Sequence, residues 1–195
     1  MNDPGPSRTP RQAALLIITL GLAIAGGVGL GVLLLGGPDD DEGDTDAEAA
    51  PGVQTFEVES RSHVEEPVDY EQTPPVGGDH AGVWQNCGFY DEPIFTELGV
   101  HSLEHGAVWI TYQPDLPGAD RGTIEELAQE EFVLATPWDD GELPAPAVLS
   151  AWGAQLEIDD LSDASVAEFI ETYAQSDSAP EPGAPCTGGY EDPAE

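Results

Sequence analysis

The segment His101-Ser-Leu-Glu-His105-Gly106 holds the residue types with the most direct chemical use. On a helix, positions 101 and 105 lie one turn apart on one face, with Cβ atoms about 5–6 Å from each other. Two imidazoles at that spacing can reach one ion. Imidazole is the commonest neutral metal ligand, and a site needs several donors close together. The other two histidines, His63 and His80, also precede Gly106, so all four crowd into one stretch of chain. This clustering selects His80, His101 and His105 as metal ligands, with His63, Glu97 and Glu104 as further candidates. Such nitrogen and oxygen donors suit Zn or Cu(II). Met1 is the only methionine, so a thioether site for Cu(I) has no basis.

The same five residues match H-x-x-E-H, the inverted zincin pattern, in which Glu104 would activate a zinc-bound water. Five residues match by chance often, and Gly106 follows at once, leaving little helix to hold a hydrolytic site. A metal-binding module is therefore favoured over a zinc hydrolase. The third alternative is a structural or protein-interaction domain whose histidines only pack and bond backbone carbonyls. No G-x-S-x-G, P-loop or dinucleotide fingerprint is present.

Cys87 and Cys186 are the only cysteines. Outside the membrane such a pair most simply forms a disulfide. It would close a loop of about 100 residues, worth roughly 4–5 kcal/mol in the chain-entropy treatment. It would also bring the Pro- and Gly-rich segment 180–190 to the histidine region. The alternative makes Cys87 a thiolate ligand. Nothing in the sequence around Cys87 marks a catalytic nucleophile.

The elements that must position these residues read as α+β. Residues 56–60 alternate like a short strand, and 61–100 form a long irregular loop region rich in Pro and Gly. Residues 98–105 make one or two helical turns ended by Gly106. Residues 107–113 are a β-branched and aromatic strand, followed by a helix over 123–131 and a strand over 132–136. A further strand lies within 147–158, with a turn or bulge at Gly153. A last helix spans 162–175, with Ser162 as cap and Val166, Phe169, Ile170 and Tyr173 on one face. This order predicts a small mixed sheet with helices packed on it, reminiscent of part of a ferredoxin-like fold.

The chain has 195 residues, with 39 acidic side chains against four arginines and no lysine, for a formal net charge of −35. Molar salt shrinks the Debye length to roughly 3 Å or less, and dense acidic surfaces then stop repelling themselves. The composition points to a halophile. It excludes nucleic-acid binding, which needs a basic stripe, and a peripheral grip on anionic lipid.

Residues 13–35 carry no charge, and a helix of that length crosses a hydrocarbon core of roughly 30 Å. Arg8 and Arg11 precede it, so the expected layout is a cytoplasmic tail (1–12), a transmembrane anchor (13–35), an acidic linker (36–55) and an extracytoplasmic domain (56–195). A cleaved signal peptide is the alternative, but its apolar part normally runs about 7–15 residues. The partner expected from sequence is thus the membrane, through the N-terminal helix. No protein partner is indicated.

Taken together, His63-Val64, Tyr70, PPVGGDH at 74–80, W-x-N-C-G-x-Y at 84–90, VHSLEHGAVWITYQPDLP at 100–117 and APEPGAPCTGG at 179–189 resemble the domain-of-unknown-function family 3105. The resemblance covers about residues 56–190. It implies an N-terminal membrane anchor, a short linker and one exported domain, and it implies no reaction, cofactor or catalytic residue. Relatives commonly read PPTSGPH where this chain has PPVGGDH, so Asp79 stands in place of proline and adds a candidate carboxylate ligand.

Overall fold

The computed structural model describes residues 51–194. The expected tail, anchor and most of the linker lie outside the described residues. Among the described residues no helix is long and apolar enough to cross a membrane.

The architecture is α+β, with a mixed six-stranded sheet and three helices. In chain order the elements are β1 (Gln54–Thr55), β2 (Gly88–Phe89), α1 (Thr96–Glu104), β3 (Val108–Tyr112), α2 (Gly118–Leu127), β4 (Val133–Pro137), β5 (Ala147–Ala151), β6 (Ala154–Ile158) and α3 (Ala164–Tyr173). Across the sheet they run β1-β6-β5-β3-β4-β2. The central strand β3 pairs in parallel with β4 and antiparallel with β5.

Strand β3 is buried along its whole length because helices cover both faces of the sheet. Its alternating side chains divide between two cores. Val108, Ile110 and Tyr112 join Ile124 of α2 and Val166, Phe169 and Ile170 of α3 on one face. Trp109 points to the other face, where it packs with Leu103 of α1, Leu134, Trp138 and Val148. The large apolar residues of β3 thus fix the order helix pair, sheet, α1.

Five expectations from the sequence need correction. The second helix spans Gly118–Leu127 rather than 123–131. The ferredoxin-like comparison fails because β3 and β4, which flank α2, are hydrogen-bonded neighbours, whereas a split βαβ unit places a strand between them. Residues 147–158 are two antiparallel strands rather than one, folded back at Trp152–Gly153, where Gly153 has φ +72°. The first strand pairs at Gln54–Thr55, just ahead of the alternating run 56–60. Helix α3 is capped by Asp163, whose side chain accepts the Ser165 N–H at 2.9 Å, while Ser162 bonds instead to Asp160.

Helix α1 starts at Thr96, so more than a full turn precedes His101. It is buried from Leu98 to Glu104, enclosed by the sheet on one side and the long loop on the other. The loop is irregular but ordered by hydrogen bonds into α1: Gln85 N–H donates to Leu98 O at 3.1 Å, and Ser102 Oγ donates to Gln85 O at 2.7 Å. Gly106 ends the helix at φ +90°, and a Cβ there would lie 2.6 Å from Gln175 Nε2. Only glycine fits both the left-handed turn and that neighbour.

Candidate metal centre

A helix buried on all sides must satisfy any polar residue it carries, because an unpaired buried polar group is costly. Helix α1 and its cap carry four, each no more than 4 % exposed: Ser102, which bonds the Gln85 carbonyl, and the ionisable His101, Glu104 and His105. The loop opposite supplies His80, which is fully buried, and His63, which is exposed. Two short backbone bonds lock these loop segments side by side, from Val64 N–H to His80 O at 2.8 Å and from His80 N–H to Ser62 O at 3.0 Å. One donor atom each from His63, His80, His101 and Glu104 lies within 4.8 Å of all the others.

The orientation of the rings is fixed by backbone carbonyls. His80 Nδ1 donates to Gly78 O at 2.8 Å, His101 Nδ1 to Ala81 O at 2.7 Å and His105 Nδ1 to Pro185 O at 2.8 Å. A carbonyl can only accept, so each Nδ1 carries its proton and each neutral ring presents a lone pair at Nε2. Those lone pairs converge. His80 Nε2 lies 3.0 Å from Glu104 Oε2, and His101 Nε2 lies 3.0 Å from His105 Nε2. His63 Nε2 is 3.8 Å from the same Glu104 oxygen. In the two 3.0 Å pairs acceptor faces acceptor, an arrangement that a cation between them, either a proton or a metal ion, makes favourable. Imidazoles that bind metal characteristically give their other N–H to a carbonyl or carboxylate, as these three do.

Burial pushes the His101 imidazole below its ordinary value, and the nearby His105 and His80 act in the same direction. The Ala81 carbonyl and Glu104 oppose the shift. His101 is therefore neutral and competent as a ligand at pH 7.

The supporting shell explains the unusual segment at 74–80. Gly78 turns at φ +122° against the Tyr70 ring, and Tyr70 Oη donates to Asp79 O at 2.8 Å. Burial raises the Tyr70 phenol well above its ordinary value, with Glu97 and Asp79 adding to the effect, so the phenol remains a donor. The Asp79 carboxylate is not among the clustered ligand atoms. It accepts the Ser60 hydroxyl and the Ser62 N–H, and these bonds hold it below the usual carboxylate range. Trp152, at the β5–β6 turn, packs edge-on against His80 with ring centroids 6.1 Å apart.

Of the residues singled out from sequence, His63, His80, His101 and Glu104 come together. His105 stands beside His101, outside that foursome. Glu97 is turned elsewhere and accepts the Val68 N–H at 3.0 Å. Cys87 and Cys186 form a disulfide with Cα atoms 5.4 Å apart, so Cys87 is not a thiolate ligand. Sequence reasoning missed Glu181, whose Oε2 lies 3.7 Å from His105 Nε2. It also missed the Gly78, Ala81 and Pro185 carbonyls. No local pattern marks them, because each becomes relevant only through contacts made across the fold.

These features define an α+β domain with a buried histidine–carboxylate cluster able to hold a metal ion. The chain belongs to the family described as "Protein of unknown function (DUF3105)", whose model matches residues 63–188. The match spans the candidate ligands and both cysteines. No curated protein and no solved structure matches the chain.

Proposed function

We propose that the protein is a membrane-anchored, outward-facing metal-binding protein of a salt-adapted organism, holding Zn or Cu through His63, His80, His101 and Glu104. The observation that carries this reading is the convergence of the His80 and His101 Nε2 lone pairs and a buried carboxylate after the Nδ1 protons of both rings have been given to carbonyls, with His63 Nε2 close by. Four such donors complete a tetrahedral shell, with bonds of about 2.0–2.1 Å. The apolar run 13–35 supports the anchor, and the Cys87–Cys186 disulfide suits an oxidising exterior. The excess of acids supports the brine assignment.

Binding is favoured over hydrolysis because Glu104 is engaged with His80 rather than free to take a proton from water. The test is a cobalt titration of the full-length protein, followed by its visible spectrum, with His80→Ala and Glu104→Gln alongside. Intense ligand-field bands saturating in the native protein and lost in both variants support the reading. Absence of bands, or identical spectra in all three proteins, would refute it.

A further inference from the structure

The cluster offers more donors than one ion needs. His105 and Glu181 lie beyond His101, and His105 Nε2 is 3.0 Å from His101 Nε2 and 3.7 Å from Glu181 Oε2. On the opposite side, His80 Nε2 and His63 Nε2 lie 3.0 and 3.8 Å from Glu104 Oε2. Ligands sharing a tetrahedral ion at about 2.0–2.1 Å have donor atoms roughly 3.3 Å apart. Both groups approximate that spacing.

We propose that the site takes two divalent ions. The first half consists of His63, His80 and Glu104, and the second of His101, His105 and Glu181. This rests on the single-ion reading above and deepens it. When the second ion binds, His101 leaves the first group, because its Nδ1 proton is held by Ala81 O and its one free lone pair can serve only one metal. Each half then has two imidazoles and one carboxylate, leaving a fourth tetrahedral position open for water.

The two halves have matching exposure. In each, one ligand side chain is about half exposed (His63 at 55 %, Glu181 at 56 %), while the others are nearly fully buried. Each ion therefore has its own route to solvent. The second half is assembled by the C-terminal segment: Glu181 N–H donates to Glu104 O at 3.0 Å, and Pro185 O accepts from His105 Nδ1. The disulfide at Cys186 anchors that segment next to Pro185. Loss of one half's ligand should leave the other half able to bind.

The experiment is the stoichiometry of zinc bound to the full-length protein in high salt, read by native mass spectrometry and by competition with a chromogenic chelator. Glu181→Gln, an exposed and foldable change, is the main variant, and His105→Ala is the second. Two equivalents in the native protein, with one lost in each variant, is the expected result. One equivalent in the native protein overturns the two-ion proposal and leaves the single-ion reading standing. None overturns both. Two equivalents that persist in either variant place the second ion elsewhere and also overturn the proposal.

Discussion

Replacing Gly99 with alanine isolates how closely α1 must approach the sheet for the site to form. A Cβ at this position would lie 2.7, 2.8 and 3.0 Å from three atoms of the Trp109 ring, where ordinary contact begins at 3.4 Å. The ring must retreat by about 0.7 Å, or the helix must lift. Trp109 is 1 % exposed, its indole N–H donates to Thr136 Oγ1 at 3.0 Å, and Trp138 packs against it with centroids 6.0 Å apart. The helix is therefore the part that gives way. Overpacking of this kind costs about 1–3 kcal/mol, while alanine for glycine inside a helix returns about 1 kcal/mol. Clash outweighs propensity, and the net loss is about 1 kcal/mol, or about 2–4 °C in Tm for a domain of this size. Gly122 in α2 supplies the control, since a Cβ there meets nothing within 4 Å. Gly122→Ala should gain up to about 1 kcal/mol from propensity alone. His101 and Glu104 ride on the lifted helix, so Gly99→Ala should also weaken zinc binding by about tenfold, as supporting-residue changes do. Thermal melts in high salt and zinc titrations of both variants check this. Equal stability and equal zinc affinity in the two would refute the packing argument.

Three further outcomes follow from the same geometry. Converting Cys87 and Cys186 to serine opens a loop with a sequence separation of 99 residues and should cost about 4–5 kcal/mol in urea unfolding; an unchanged midpoint contradicts it. Thr136→Val strands the buried Trp109 N–H and should cost about 1–3 kcal/mol, whereas Thr136→Ser restores most of the loss in thermal melts. His101, whose imidazole is depressed mainly by burial, takes up its proton more readily unfolded than folded. The metal-free protein should therefore lose stability as pH falls from the ordinary histidine value of 6.5 toward the lower folded value, and gain none above that window. Denaturant midpoints between pH 7.5 and 5 test the sign.

The elements were legible wherever local pattern dominates. The run 107–113 shows its strand through β-branched and aromatic residues, and the last helix shows its buried face at Val166, Phe169 and Ile170. The hairpin at Trp152–Gly153 shows in the sequence only as a turn or bulge at Gly153 within one strand, because its two-residue turn carries a single glycine to signal it. Strand order was illegible: nothing local says that β3 lies between β4 and β5. At the site, spacing picked out His101, Glu104 and His105, and clustering added His80 and His63. It did not sort them, since only tertiary contact turns Glu104 toward His80 and Glu97 toward Val68 N–H. Asp79 had the right chemistry for a ligand, but two seryl donors nearby claim its carboxylate.

The most direct test of the central claim is X-ray absorption at the zinc edge of the protein loaded with one equivalent. The expected spectrum shows only nitrogen and oxygen neighbours at about 2.0–2.1 Å, with the multiple scattering of two or three imidazoles. Sulfur at about 2.3 Å, or a shell of oxygen alone without imidazole scattering, would contradict it by placing zinc on a cysteine or on the acidic surface.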